Sequence, residues 1–248
     1  MFHGTKLKPN YKVYCPSYKR HNLATTHLLF KPETFCYVVG ESEVEAYKKL
    51  GVDVKSIPEE KNTCIAAARN WILENRDQQN LVQVDDDMKA IYWILRRERI
   101  PLSPDDIHHQ IVNGFQMSKD LGAGLWGMQV NPDPMTYSTK YPFLLNKPVC
   151  GTFCGISDIE LRYDETITLK EDYDYFIQSM LKYRKVLRFE FLCYYVDHQK
   201  MAGGCQEYRT HEKELENKIK FKKKWGDKII RDNERNPDSY NLRIRLPI

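Results

Sequence analysis

The sequence predicts an α/β protein with a mixed, mostly parallel central sheet flanked by helices. Two observations predict this fold class. Short apolar runs alternate with helical patterns through the first half of the chain, which is typical of parallel strands joined by helices. With 248 residues and 42% hydrophobic content, the chain can also bury a full core in one domain.

Four strands and three helices are predicted in the first half. The predicted strands cover 11–15, 34–39, 52–57 and 81–84. The predicted helices lie between them, at 22–30, 43–50 and 63–75, and Gly51 just past the second is a usual residue at a helix end. Loops that follow parallel strands lie at one edge of the sheet, where ligands bind in open α/β sheets. We therefore expect the functional residues at that edge.

The second half predicts longer elements. Ser103 as cap, Pro104 in the first position and acids in the first turn indicate a helix that ends at Gly122. A segment rich in Gly, Pro and aromatic residues, 123–147, is predicted to be irregular. A small-residue strand at 149–155, a one-faced apolar helix at 169–183 and a strand at 186–196 follow. We predict one domain over 1–205 and a basic helical extension at 206–248.

Charge and cysteine content restrict the classes of function. A net charge of +4 excludes an overtly cationic nucleic-acid coat, although residues 1–32 contain no Asp or Glu and lysines cluster between Lys218 and Lys228. Two basic ends could flank a polyanion, but a solvated amphipathic helix also explains the second cluster. Seven cysteines without a framework pattern indicate reduced thiols in the cytoplasm. The first residues lack the apolar core of a signal peptide, and no apolar stretch is long enough to cross a bilayer.

Three consecutive acids, Asp85, Asp86 and Asp87, follow the predicted strand at 81–84. Because side chains alternate along a strand, Asp85 and Asp87 are expected on one side and Asp86 on the other. Two carboxylates on one side can hold Mn²⁺ or Mg²⁺ and leave coordination sites for phosphate oxygens. The alternative is a solvated turn, where Asp is common. The triplet therefore predicts a metal-dependent transferase with a nucleotide-diphosphate donor.

Other candidate side chains follow the first two strands or precede the triplet. The loop from Pro16 to Arg20 offers Arg20 to phosphates and Tyr18 for stacking on a base, although a basic surface loop is the ordinary alternative. Glu41 follows the second strand, where it could accept hydrogen bonds from a ribose or a base. Arg69 and Asn70 lie on the helix before the triplet, next to three alanines that permit close approach by a ligand or close packing.

A second acidic pair, Glu171-Asp172, offers a base for an acceptor hydroxyl. Thr168 and Glu171 fit a capping box, which would assign Glu171 to its own helix and leave Asp172 available. Asp197 or His198, after the strand at 186–196, could complete the metal site, with a surface histidine as the alternative. Cys150 and Cys154 lack a matching second pair, so a structural zinc site is not expected.

These motifs together resemble the GT-A glycosyltransferases, and among them the TET-associated glycosyltransferases of phages. The resemblance rests on the Pro16–Arg20 loop, Arg69-Asn70, the aspartate triplet as a DxD motif, and Glu171-Asp172, with Gly203-Gly204 extending it. It implies transfer of a sugar, from a UDP-sugar or a similar donor, to the hydroxymethyl group of a 5-hydroxymethylcytosine-like base in phage DNA. A host-cytoplasm location and no membrane partner are expected.

The resemblance also implies a role for each matching position, with residues 1–100 binding the donor and 101–205 the acceptor. The implied nucleotide-sugar residues are Pro16, Ser17, Tyr18, Arg20, Glu41, Arg69, Asn70, Asp85 and Asp86. The implied metal ligands are Asp85, Asp87 and His198, and the implied base is Asp172 or Glu171. The implied acceptor residues are Trp126, Gly127, Gly151, Lys222, Lys223 and Lys224. A GT-A enzyme with a protein or glycan acceptor and a nucleotidyltransferase remain alternatives.

Overall fold

The computed structural model describes residues 10–149, 151–157, 160–196, 209–232 and 242–246. The strands are β1 (Tyr11–Pro16), β2 (Phe35–Gly40), β3 (Asp53–Ile57), β4 (Asn80–Val84), β5 (Met88–Leu95), β6 (Glu98–Pro101), β7 (Leu125–Gln129), β8 (Phe143–Leu144), β9 (Phe153–Ile156), β10 (Leu187–Val196), β11 (Ile230–Asp232) and β12 (Leu242–Ile244). The helices are α1 (Val44–Lys48), α2 (Ile65–Glu74), α3 (Pro104–Leu121), α4 (Glu171–Tyr183) and α5 (His211–Trp225).

The central sheet has the strand order β3-β2-β1-β4-β9-β7-β10-β5-β6, with β8 paired to β10. In its first half, β1 pairs in parallel with β2 and β4, and β2 pairs in parallel with β3. Neighbouring residues of β1 enter different apolar clusters, Val13 on one face and Tyr14 on the other. Burial on both faces explains why β1, β2 and β4 are rich in apolar residues, whereas the edge strand β3 is partly exposed and carries polar side chains. The predicted α/β fold with a mixed, mostly parallel sheet is confirmed.

In the other half of the sheet, β7 lies within the segment 123–147. The prediction that this whole segment is irregular is therefore wrong. β9 pairs antiparallel with β4 and β7, and β10 runs parallel to β7 and antiparallel to β5. All five residues of β7 are buried. A Cβ atom at Gly127 would lie 2.5 Å from Val149 Cγ1, so this strand requires a glycine. The five residues of β7 include a glycine and do not alternate between apolar and polar side chains, so their sequence does not predict a strand.

The segment predicted as a helix at 22–30 contains a short 3-10 turn at Thr26–Leu29 instead. Thr26 is fully buried, and its hydroxyl lies 3.1 Å from the carbonyl oxygens of both Asp85 and Met88. The segment is therefore held against the loop that follows β4. This contact joins residues about sixty positions apart, which a local helix pattern does not reveal.

Helix α3 begins and ends where its sequence signals predict. The Ser103 hydroxyl accepts a hydrogen bond from the Asp106 backbone N–H (3.2 Å), and the Ser103 N–H donates to Asp106 Oδ2 (3.1 Å), which together form a capping box. Gly122 ends the helix at a φ of 66°, in the left-handed region that glycine adopts readily.

Ser103→Ala is expected to reduce the free energy of unfolding by about 1 kcal/mol, because it removes an N-cap acceptor. Urea denaturation measures this difference. Ser56→Ala, an exposed serine on β3, is the control and should change the free energy of unfolding by less than about 0.5 kcal/mol. Equal effects of the two substitutions would contradict the cap.

Helix α4 begins without the predicted capping box. Its N-cap is Lys170, which supplies no side-chain hydrogen bond, so the expected pairing of Thr168 with Glu171 is wrong. The Thr168 backbone N–H donates instead to Asn217 Oδ1 of α5 at 2.7 Å. The Glu171 carboxylate lies beside α2, with its Oε1 3.9 Å from Arg69 Nε.

The chain after residue 205 includes α5 and the two-stranded antiparallel sheet of β11 and β12. Phe221 of α5 is fully buried in the same apolar cluster as Phe176 of α4. Helix α5 therefore packs on the helical layer beside the central sheet. None of the helices in the described ranges combines the length and the apolarity needed to span a membrane.

Candidate active site

Asp86 joins the loop after β1 to the end of β4. Its side chain is buried, and it accepts hydrogen bonds from the Ser17 hydroxyl and from Arg20 Nη1, the latter at 2.5 Å. Ser17 also lies 2.6 Å from the Tyr47 hydroxyl of α1. Burial raises the pKa of Asp86 to about 6, opposed by the positive charge of Arg20. The middle aspartate therefore holds Ser17 and Arg20 in place from inside the protein.

Asp85 points to a different set of partners, as strand alternation predicts. Arg69 Nη2 donates to Asp85 Oδ1 at 2.8 Å, and the Thr152 hydroxyl donates to Asp85 Oδ2 at 2.9 Å. The Asp85 N–H also donates to the Thr152 carbonyl, at 3.2 Å. About 28% of the side chain stays exposed, so the carboxylate is anchored but still open at the sheet edge.

Asp87 acts electrostatically on Asp85. Burial raises the pKa of Asp85, Arg69 lowers it, and the negative charge of Asp87 raises it further. These two carboxylates, with water and phosphate oxygens, form a donor set that suits Mg²⁺ or Mn²⁺. Within the described ranges, no three His, Cys, Asp or Glu side chains are grouped for metal binding. The predicted ligand His198 and its alternative Asp197 lie outside those ranges.

Arg69 is the buried cation of the site. Its side chain is 3% exposed, and besides the bond to Asp85 its Nε lies 3.9 Å from Glu171 Oε1. Its Nε and Nη1 atoms have no hydrogen-bond partner among the described residues. A Cβ atom at Gly151 would overlap Nη1, so the glycine is what lets Arg69 reach this position. Arg69 and Gly151 thus lie beside the triplet, and their expected roles in donor and acceptor binding stay predictions.

The acidic pair at the start of α4 lies across from the triplet. The Gly151 and Tyr173 N–H groups donate to the Asp172 carboxylate at 3.1 and 2.8 Å. Glu171 is buried, and burial together with the negative charge of Asp172 raises its pKa to about 8, although Arg69 opposes this. The two neighbouring acids therefore differ: Glu171 holds its proton at neutral pH, and Asp172 is fixed by backbone donors.

The loop after β1 presents an exposed ring at the same sheet edge. Tyr18 is 39% exposed, and the Lys19 ammonium lies 4.6 Å from the centroid of its ring. The Lys19 N–H donates to Glu43 Oε1 at 2.6 Å. Glu41, the acid predicted to bind ribose or base, begins the 3-10 turn after β2 and is exposed. Glu43, which the sequence did not single out, is the acid that contacts this loop.

Asn70 has a structural environment rather than the predicted nucleotide contact. Its Nδ2 donates to the Tyr163 carbonyl and to Glu165 Oε1, both at 2.9 Å, and its Oδ1 accepts from the Tyr163 N–H at 2.8 Å. The Asn70 amide therefore binds the segment that contains Tyr163 and Glu165, which precedes α4. We correct the prediction for Asn70 accordingly.

Two predicted acceptor residues lie in the core. Trp126 is fully buried, with ring centroids 5.3 Å from Phe115, 5.5 Å from Phe153 and 5.9 Å from Phe189. Gly127 is buried beside it in β7. Neither can touch an acceptor in this conformation, because both are covered by the packed layers of the sheet and its helices. The prediction that they contact an acceptor is therefore wrong.

Most of the predicted basic surface of α5 is neutralised by neighbouring acids. Lys222 pairs with Asp232 (2.8 Å) and Asp227 (3.2 Å), and Lys224 pairs with Asp164 and Asp174, both at 2.8 Å. Lys223 is exposed. The helix is therefore attached to the domain by ion pairs that a lysine count cannot reveal, which weakens its predicted role as an acceptor surface.

Lys224→Gln is expected to lower the free energy of unfolding by about 1 to 3 kcal/mol, because Asp174 is fully buried and loses a charged donor. Lys223→Gln, next along the helix and exposed, should change it by less than about 0.5 kcal/mol. Thermal and urea denaturation of the two variants test this difference. Similar stability of both would show that the ion pairs contribute little.

Two neutral residues of the site had no recognisable sequence signal. Thr152 binds Asp85 through both its hydroxyl and its carbonyl, and Tyr47 contacts Ser17 and the Arg20 N–H. Neither residue type is distinctive of catalysis or binding. Their roles depend on contacts between strands and helices that are distant in the sequence.

Comparison with known proteins indicates that the chain is a glycosyltransferase. The model of the family described as TET-associated glycosyltransferase matches residues 11–204. Among curated proteins, none matches the sequence. The predicted GT-A fold agrees with the solved structures that resemble the chain at a TM-score of 0.50 or more. They include the mannosyltransferase PcManGT from Pyrobaculum calidifontis in complex with GDP-Man and Mn²⁺, with a TM-score of 0.59 and 12% identity over 88% of this chain and 65% of that one.

Two further structures are similar to the chain. Residues 1–349 of TarS from S. aureus give a TM-score of 0.47 and 11% identity, over 86% of this chain and 65% of that one. A mycobacterial protein gives a TM-score of 0.50 and 12% identity, over 77% and 68%. The chain therefore spans slightly less than two thirds of TarS 1–349 and of the mannosyltransferase.

Proposed function

The chain belongs to the TET-associated glycosyltransferase family, a family of nucleotide-sugar-dependent enzymes, and we propose that it transfers a sugar to the hydroxymethyl group of a modified pyrimidine in phage DNA. The observation that carries this proposal is the convergence of Asp85, the buried Arg69 and Glu171-Asp172 at one sheet edge. This edge supplies acids for a metal ion, a cation for a diphosphate and a carboxylate for an acceptor hydroxyl.

The donor would bind between the loop after β1 and the aspartate triplet. Ser17 and Arg20 are held by Asp86, so they fix the shape of this loop, and Tyr18 offers its exposed ring to the base. Exposed Glu41 would accept a hydrogen bond from the ribose. The mannosyltransferase crystallised with GDP-Man and Mn²⁺ supports a nucleotide sugar and a divalent ion as the bound groups.

Asp85 and Asp87 would hold the divalent ion. When bound, the ion would neutralise the diphosphate as it leaves the sugar. Asp85 is bonded to Arg69 through one carboxylate oxygen and to Thr152 through the other. Both contacts fix the carboxylate at the sheet edge. Arg69 also offsets the negative charge of Asp85 while the donor is absent.

Asp172 is the better candidate for the base that removes the acceptor proton. Its carboxylate is oriented by two backbone donors, and its neighbour Glu171 holds a proton at neutral pH because of burial. Glu171 would instead limit the negative charge near Asp85 and Asp172. Asp172→Asn should therefore abolish transfer, and it should lower the free energy of unfolding by about 1 to 3 kcal/mol because the amide can accept only one of the two backbone hydrogen bonds.

Glu171→Gln is expected to keep most of the transfer activity and to change how stability depends on pH. The folded-state pKa of Glu171 is raised from 4.5 to about 8, so its contribution to stability is full below about pH 4.5 and is lost as the pH rises through 8. Urea denaturation in EDTA should show that the wild type loses more stability than the variant between pH 5 and 8.5. Parallel curves would show that Glu171 is ionised in the folded protein.

The acceptor base would have to leave the DNA stack to reach this edge. Of the aromatic residues in segment 123–147, Tyr141 and Phe143 are exposed and available to stack on it, whereas Trp126 is not. Gly151 would act through Arg69, whose guanidinium fills the space that a side chain at this position would take. A protein or glycan acceptor and a nucleotidyltransferase reaction remain the alternatives.

The test is an assay with Mn²⁺, a panel of nucleotide sugars, and DNA that contains 5-hydroxymethylcytosine, with EDTA and unmodified DNA as controls. We expect release of nucleoside diphosphate and a mass gain of one sugar on the modified DNA. Release of pyrophosphate would support a nucleotidyltransferase. Metal-dependent donor hydrolysis that modified DNA neither stimulates nor receives would exclude the DNA acceptor and leave a glycosyltransferase with another acceptor.

A further inference from the structure

The β5–β6 hairpin carries three exposed arginines that the proposed mechanism does not use. Because Leu95 pairs with Glu98, Arg96 and Arg97 alone form its turn. Both are exposed, at left-handed φ values of 51° and 67°. Two-residue hairpin turns with positive φ favour Asn and Gly, so arginine at both positions is conformationally unfavourable. Because arginine is not suited to forming this turn, we look for another role for its two positive charges.

Aromatic side chains line one face between this turn and the active-site edge. The Arg99 guanidinium lies 5.3 Å from the centroid of the Tyr92 ring. Strand alternation places Ala90 on the same face of β5 as Tyr92, and Ala90 pairs with Tyr195 of β10, which is 44% exposed. An arginine on a partly exposed ring, with an exposed ring further along the same face, offers groups that bind phosphates and unstacked bases.

The hairpin is fixed relative to the aspartate triplet. β5 begins at Met88, directly after Asp87, and has eight residues. At about 3.3 Å per residue, the turn lies about 26 Å from the triplet. One strand of DNA advances about 3.4 Å per nucleotide, so this distance corresponds to about seven or eight nucleotides.

We propose that the β5–β6 hairpin binds the phosphate backbone of a polynucleotide acceptor, about seven or eight nucleotides from the modified pyrimidine. This inference rests on the proposed function, because it requires a nucleic-acid acceptor. Within the described ranges, Arg96, Arg97 and Arg99 make no ion pair, in contrast to Lys222 and Lys224 of α5. The hairpin carries three positive charges and one negative charge, from Glu98, so its net positive charge attracts a polyanion. The same charge repels a second copy of this edge strand.

The turn offers a variant that removes charge without disturbing the fold. Arg96→Asn combined with Arg97→Gly deletes both charges and introduces the pair of residues that best fits positive φ at both turn positions. Lys61→Gln combined with Lys119→Gln is the matched control, because both lysines are exposed elsewhere and the change in net charge is the same. Melting temperatures of both variants confirm that they are folded.

Binding is measured with oligonucleotides that carry one 5-hydroxymethylcytosine and flanks of 3, 6, 9 or 12 nucleotides on either side. The wild type and the control variant should gain affinity when one flank exceeds about eight nucleotides. The hairpin variant should lose that gain. Its slope of log affinity against log salt concentration should also fall by about 2, one for each lost phosphate contact.

Equal length and salt dependence in the hairpin variant and the wild type would overturn this inference, even if DNA is glycosylated normally. Self-association of the hairpin variant in sedimentation, with unchanged DNA binding, would also overturn it and would show that the arginines only protect an edge strand. Length-dependent binding by the hairpin without sugar transfer to any DNA would retain the inference about binding and reject the proposed reaction.

Discussion

Arg69→Met is expected to reduce the free energy of unfolding by about 3 kcal/mol, because it removes the buried cation that pairs with the largely buried Asp85 carboxylate. Arg69 is 3% exposed and lies within ion-pair distance of both Asp85 and Glu171. Methionine has a similar length and no charge, so the packing around α2 is largely kept. Urea denaturation at pH 7.5 in EDTA measures the loss.

Arg162→Met is the matched control, because Arg162 is 42% exposed and its Nε lies 3.6 Å from Glu74, which is 59% exposed. An exposed pair of this kind contributes at most about 1 kcal/mol. A loss below about 1 kcal/mol for Arg69→Met as well would mean that protonation or solvent already neutralises Asp85. Arg69 would then not be required to hold the acids together.

The sequence predicted the parts of the fold and site that depend on local signals. Strands β1, β2 and β4 are buried on both faces and are rich in apolar residues, and α3 carries both a cap at Ser103 and a terminating Gly122. The aspartate triplet was recognisable because three adjacent carboxylates after a strand are costly without a partner. Alternation along the strand also explains why Asp85 and Asp86 contact different residues.

The features that the sequence did not predict depend on contacts between distant residues. Thr168 resembles a helix cap, but Asn217 of α5 binds its N–H. Trp126 and Gly127 stand in a segment rich in glycine and aromatic residues, which suggested an acceptor loop. They lie instead in β7, which is paired with β9 and β10 and is buried. Lysines of α5 look like a nucleic-acid surface until Asp164, Asp174 and Asp232 are seen beside them. In each case, long-range packing overrides a pattern that is correct locally.

Asp87→Asn is expected to reduce the rate of sugar transfer by about a thousandfold or more, which corresponds to about 4 kcal/mol of transition-state stabilisation at 1.36 kcal/mol per tenfold. Asp87 belongs to the outer pair of the triplet, and the proposed ion requires both of its carboxylates. The amide keeps the shape of the side chain and removes the negative charge. Steady-state kinetics at several Mn²⁺ concentrations measure both the rate and the concentration of ion that gives half of the maximal activity.

Asp86→Asn is the comparison that makes this prediction specific, because Asp86 lies in the same triplet but binds Ser17 and Arg20 inside the protein. Asp86→Asn should lower stability and raise the KM for the donor, since Arg20 loses its charged partner, while half-activation should occur at the same Mn²⁺ concentration. Asp87→Asn should show the opposite pattern, with a folded protein and a strong shift in Mn²⁺ dependence. If both variants lose stability and keep the same Mn²⁺ dependence, the triplet is a structural element, and the ion that assists the leaving diphosphate must be held elsewhere.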